Sequence, residues 1–270
     1  MEIDEPRILA GTSGFSYDDW IGPVYPKGTK KEEMLSYYAT ELKFKIVELN
    51  FTYYTMPAAK TFETMLKHVP DDFTFVVKTH GSMTHKIRAG DGSLVRDEGT
   101  FADFMEGLKP LTEAGRLKCV LAQFPIKFAR SGETEEHLKW FVQALRPLKL
   151  TVELRNRGWV AQSAFDLLRS LDAGYCVVDE PDLPKLTPFT PVATSDLAYF
   201  RFHGRNTKWF DVPAYVRYDY LYSDAELRGF IEPVKRVAAQ AGETLVFFNN
   251  HFQGSAAKNA QMFKELVGAK

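Results

Sequence analysis

Cysteine is nearly absent: Cys119 and Cys176 are the only two in 270 residues, and each sits inside an apolar run. No Cys-x-x-Cys pair exists, which argues against a thiolate zinc site, and the two thiols read as small buried hydrophobes in the reduced state. An excess of either charge is also lacking. Lys and Arg number 34 against 35 Asp and Glu, a formal net charge of -1. Nothing therefore draws the chain broadly to nucleic acid, which is a disfavoured partner, or to a membrane, which is not expected as one. No segment approaches the ~20 apolar residues of a membrane helix. Residues 1–7 are acidic and carry no apolar stretch of signal-peptide type, so a cytoplasmic location is expected. There is no P-loop, no G-x-G-x-x-G and no His-x-His or His-x-x-x-His spacing. Internal repeats, low-complexity tracts and linkers are missing as well, and one domain over residues 1–270 is expected.

What is present is regular. Eight short runs rich in Val, Ile, Leu, Phe or Tyr occur at 8–11, 46–50, 73–78, 119–124, 150–155, 175–180, 197–204 and 244–251, each of strand length and composition. Between most of them lie stretches of helical period, at 31–42, 58–69, 101–114, 133–145, 161–172, 224–240 and 255–267. Apolar residues at i, i+3, i+4 and i+7 give each a single buried stripe. Pro233 falls inside the sixth of these, so a kink or split is expected there. Strand–helix alternation implies parallel strands with helical crossovers. Eight of them over ~250 residues fit an α/β fold of (β/α)8 TIM-like type, an open doubly wound sheet being the rival. Two stretches break the alternation. Residues 181–196 hold four prolines and no helical period, so the sixth crossover is expected to be irregular. Residues 205–222 form a long aromatic loop after strand seven, whose many rings argue for order.

The strand ends carry the chemistry. Side chains alternate faces along a strand, so Glu48 and Asn50 share one face, as do Glu153 and Arg155, and again Arg201, His203 and Arg205. Lys78, Gln123, Asp179, Asn249 and Asn250 close other strands. Charges are almost never fully buried unless paired, yet here they recur at one end of several strands, the end where a barrel builds its site. The expected pocket has mixed charge. Lys78, Arg155, Arg201 and Arg205 are candidates to hold an anion, with Asn50, Asp179, Asn249 and Asn250 as polar contacts and Tyr54 and Trp209 as ring walls. Glu48 or Glu153 is the candidate base, and His203 or His85 the candidate proton donor. The expected ligand is a small anionic or polyhydroxylated molecule. With so many cations beside the carboxylates, no metal site is expected, and no cofactor. The run Gly11-Thr12-Ser13-Gly14 reads either as an anion-binding turn or as a plain tight turn, the latter favoured.

Several motifs together resemble the YecE-like family. They are Gly11-Thr12-Ser13-Gly14-Phe15-Ser16-Tyr17 with Trp20 and Tyr25-Pro26, then Val47-Glu48-Leu49-Asn50 with Tyr53-Tyr54, and Phe75-Val76-Val77-Lys78 with Thr84-His85. Further along come Gln123-Phe124-Pro125, Val152-Glu153-Leu154-Arg155 with Trp159, Tyr199-Phe200-Arg201-Phe202-His203-Gly204-Arg205 with Trp209, and Phe248-Asn249-Asn250-His251. Tyr53 stands where the family often has Phe. The resemblance implies a TIM-barrel-like fold and a domain of unknown function. It leaves an enzyme, a nuclease-like module and a non-catalytic binding barrel all open.

Overall fold

The computed structural model describes residues 7–268. Each apolar run forms a strand: β1 (Arg7–Thr12), β2 (Ile46–Leu49), β3 (Thr74–Lys78), β4 (Leu117–Phe124), β5 (Leu150–Leu154), β6 (Gly174–Asp179), β7 (Leu197–Phe202) and β8 (Glu243–Phe248). All pair in parallel, in the order β1-β8-β7-β6-β5-β4-β3-β2. The two ends of that order approach each other. Ser13 bridges Glu48, and the Gly14 N–H donates to the Glu48 carbonyl at 2.7 Å, so the sheet curls into a nearly closed barrel. This is the (β/α)8 architecture that the alternation predicts, and the open sheet is excluded.

Nine helices are described: α1 (Lys31–Thr40), α2 (Ala59–Lys67), α3 (Gly81–Thr84), α4 (Glu98–Glu113), α5 (Gly132–Ala144), α6 (Gln162–Ser170), α7 (Ala214–Arg217), α8 (Asp224–Ala238) and α9 (Ser255–Val267). Ser223 caps α8, its Oγ accepting from the Glu226 N–H, and the Glu226 carboxylate returns to the Ser223 N–H at 2.8 Å. The helix is not split at Pro233: α8 is continuous through it. Leu227, Phe230, Val234 and Val237 bury one stripe of this helix, and that packing outweighs the single hydrogen bond the proline removes.

The sixth crossover carries no helix, as its prolines predict. Glu180 pins it instead, its Oε1 accepting from the Thr187 N–H and hydroxyl, both at 2.9 Å. The loop after β7 is ordered around α7, with Trp209 and Tyr222 buried.

Two apolar layers follow from strand alternation. One lies between sheet and helices and includes Val47, Phe75, Phe104, Phe141, Phe200 and Phe248. The other fills the barrel: Leu9, Ile46, Val76, Cys119, Leu121, Cys176, Tyr199, Leu245 and Phe247 among them. Both cysteines are free and buried there, and burial pushes their thiols up, away from reactivity. Gly11 is required where the barrel closes. A Cβ at that position would stand 2.4 Å from the Ile46 carbonyl oxygen.

Candidate ligand site at the barrel mouth

Along the barrel axis the apolar filling gives way to charge at the carboxyl ends of the strands. Glu48 is 0 %, Glu153 1 %, Arg201 1 % and His203 0 % exposed, so each charge must be met by protein. Glu153 serves two arginines, accepting from Arg155 Nε on one oxygen and from Arg201 Nη1 on the other. Arg201 Nη2 donates to Glu48 at 2.7 Å, and the Tyr199 hydroxyl donates to the other Glu48 oxygen at 2.6 Å. Arg155 also donates to Glu180 at 3.2 Å and to His203 Nε2 at 3.1 Å. Arginine has no acceptor, so His203 Nε2 accepts this bond, and its Nδ1 lies 2.9 Å from the Asn249 side-chain amide.

Protonation follows from this packing. Burial alone would raise the Glu153 carboxyl, but Arg155 and Arg201 hold it well below its ordinary value. Burial opposes the charge on Arg201, yet Glu48 and Glu153 hold it well above the ordinary guanidinium value. Burial, with Arg155 adding to it, pulls His203 down to about 3, so that ring is neutral. Glu48, Glu153, Arg155, Arg201 and His203 thus form one closed network under the barrel mouth.

Asp179 and Arg205 lie apart from it. Asp179 shares the outward parity of Tyr175 and Val177, accepting both Arg205 Nε and Nη2 and, at 2.6 Å, the Tyr222 hydroxyl. The pair ties β6 to the loop after β7. Glu180, one residue on, is the strand-six carboxylate that faces the network. Asn250 holds the Tyr220 carbonyl and the Asn259 side chain, both at 2.8 Å. Trp209 is buried, its ring centroid 5.8 Å from the Arg155 guanidinium.

Above the network opens a cavity of about 780 Å³, a size suited to a small ligand. Of the residues nominated from sequence, Asn50, Tyr54, Lys78, His85, Arg201 and Asn249 line it; Glu48, Glu153, Arg155, Asp179, His203, Arg205, Trp209 and Asn250 lie beneath or beside it. Rings supply much of the wall. Tyr17 stacks on His251 with centroids 4.5 Å apart and planes 2° from parallel, and Tyr53 and Tyr218 also face in. Lys78 Nζ donates to Gln123 Oε1 at 2.6 Å and stands 4.8 Å from the Tyr53 ring centroid. Burial and the nearby Arg201 bring its ammonium down to about 7. His85 packs edge-on against Tyr53, and burial, reinforced by Lys78, lowers it to about 4.

Sequence reasoning missed Arg217, a cavity-lining cation on α7 whose Nε donates to the Trp209 carbonyl at 2.9 Å and which forms no ion pair among the described residues. It sits in an aperiodic loop, where no pattern marks it. Glu180 and Tyr199 were within reach of strand parity. Three buried polar atoms on cavity-lining residues have no hydrogen-bond partner: Asn50 Oδ1, Arg201 Nε and His251 Nδ1. Residues 11–14 do not form the expected turn: Gly11 and Thr12 belong to β1 and Ser13 continues it as the bridge to Glu48. The N–H groups of Thr12, Ser13 and Gly14 go to the Tyr38 hydroxyl, the Phe248 carbonyl and the Glu48 carbonyl. Among the described residues no three His, Cys, Asp or Glu side chains gather as a metal site, and Arg201 occupies the place between Glu48 and Glu153.

Known proteins resemble this chain along nearly its whole length. It is 29% identical over 272 residues to the UPF0759 protein YunF of Bacillus subtilis, covering 96% of this chain and 94% of that one. A crystal structure of a DUF72 family protein from Thermotoga maritima superposes with a TM-score of 0.90 at 44% identity, covering 97% of this chain and 99% of that one. A second, from Enterococcus faecalis, gives a TM-score of 0.84 at 28% identity, covering 97% and 96%. The profile of DUF72, described as a protein of unknown function, matches residues 9–270, and the chain belongs to that family.

Proposed function

We propose that the cavity binds a small polyhydroxylated molecule bearing an anionic group, a sugar phosphate by chemical class. The three unpartnered atoms carry this reading. A buried polar group left unpaired costs about 1–3 kcal/mol, and a hydroxyl both donates and accepts, so a polyol matches an amide oxygen, a guanidinium N–H and an imidazole nitrogen together. The aromatic walls suit the apolar face of a sugar ring. Arg155, Arg201 and Arg205 already have carboxylates; of the two lining cations without one, Lys78 and Arg217, this reading gives the anion to Arg217, whose guanidinium can meet it with two N–H groups. Glu48 and Glu153, nominated as bases, act here by holding Arg201 in place, and His203 by filling the network. Proton transfer to a ligand falls to His85.

The test is calorimetric titration with pentose and hexose phosphates, the parent sugars and inorganic phosphate. Phosphate esters are expected to bind tighter than either fragment. Arg217→Ala is expected to weaken the esters about tenfold, the worth of a charge-assisted hydrogen bond, and to leave the parent sugars unchanged. Equal affinity of esters and parent sugars, or an Arg217→Ala variant that binds like the wild type, contradicts the reading.

A further inference from the structure

Lys78 differs from the arginines of the network. It closes β3 with its amine at the cavity wall, its side-chain hydrogen bond goes to the neutral Gln123, and it forms no ion pair with a carboxylate among the described residues. The Tyr53 ring covers it on one side, and His85 lines the same wall. A cation kept only for charge is normally given a carboxylate or left in water, as Arg155, Arg201 and Arg205 are given theirs. We propose that Lys78 is a nucleophile that forms an imine with the aldehyde or ketone carbon of a polyhydroxylated carbonyl compound, an inference that rests on the polyol reading of this cavity.

The step balances without oxidant or reductant. The Nζ lone pair bonds to the carbonyl carbon, and the C=O π pair moves to oxygen, which takes a proton. The carbinolamine then loses its N–H proton and expels its hydroxyl as water, leaving C=N. Amine plus carbonyl gives imine plus water. A neutral imidazole accepts and returns such protons, and His85 is neutral at pH 7. Burial and Arg201 leave a large share of the Lys78 amine unprotonated at that pH, the usual route by which a desolvated lysine next to a cation becomes reactive.

The intact protein is incubated with D-glyceraldehyde and sodium cyanoborohydride at pH 7.5, and peptide mass spectrometry follows the reduced adduct. Lys78 is expected to be modified at least about tenfold faster than any other lysine. Lys78→Arg, which keeps the positive charge and a donor toward Gln123, is expected to lose that fast adduct while retaining the wild-type circular dichroism spectrum. Labelling of Lys78 no faster than of surface lysines overturns the proposal. The same samples are titrated with glucose 6-phosphate. Saturable binding without a Lys78 adduct overturns the imine and keeps the polyol reading. A fast adduct that no sugar phosphate slows keeps the reactive amine and overturns the polyol reading.

Discussion

Glu153 is the side chain on which the buried charges depend, because it alone meets both Arg155 and Arg201. Glu153→Gln removes the shared charge and leaves two guanidiniums short of a partner. Breaking a buried pair in this way costs about 3–5 kcal/mol, and urea unfolding is expected to show a loss of that order; a loss under ~1 kcal/mol would mean the network is solvated. The pH dependence has a definite sign. His203 is lowered from 6.5 to about 3 by burial and Arg155. Above pH 6.5 its ring is neutral folded and unfolded, and stability is full. As pH falls below 6.5 the unfolded ring takes up a proton that the folded one refuses, so stability is lost until the folded value is reached. His85 and His137, both lowered to about 4, act in the same direction. The depressed Glu153 contributes stability above the ordinary carboxylate value of 4.5 and loses it as pH falls through its lower folded value. His203→Gln is therefore expected to flatten the fall in Tm between pH 6.5 and 5 by up to about one proton of linkage, with the steeper loss below that range kept. An unchanged profile would show that His203 titrates normally.

At the level of elements, the barrel closes through a contact that admits no side chain. Gly11→Ala forces a methyl against the Ile46 carbonyl oxygen, and overpacking of this kind costs about 1–3 kcal/mol, readable by chemical denaturation. The strands were legible because each is an apolar run, and the seven longer helices because of their apolar stripes, the stretch at 255–267 coinciding with α9; the four-residue α3 and α7 are too short to show a period and were not read. The split that Pro233 suggested is absent, since a local rule about hydrogen bonds says nothing of the packing that surrounds α8. In the site, parity correctly set Glu48, Asn50, Glu153, Arg155, Arg201 and His203 toward the barrel interior. Parity says nothing of depth. Whether a lumen-facing residue is sealed in the network, like Glu153, or reaches the cavity, like Asn50, depends on how far its strand extends and on the loops above. Asp179 and Glu180 show the other limit: both end strand six, and only the alternation from Cys176 and Val178 tells which turns inward. Arg217 was not legible at all, since its place depends on the tertiary path of the loop after β7.

Over the whole molecule, a net charge of -1 coexists with densely paired charge at one pole, and among the described residues no helix is long and apolar enough to cross a membrane. Electrostatic attraction is therefore local to the cavity, and retention on an oligonucleotide column at about 50 mM salt is expected to be absent. The central claim is that this cavity is a polyol–anion site. It is tested most directly by a crystal structure of the protein soaked with the sugar phosphate that binds it tightest. The prediction is ligand density in the cavity, with the anionic group on Arg217, the carbonyl end at Lys78 and hydroxyls on Asn50 Oδ1, Arg201 Nε and His251 Nδ1. Density elsewhere on the molecule, with those atoms still unpartnered, would contradict it.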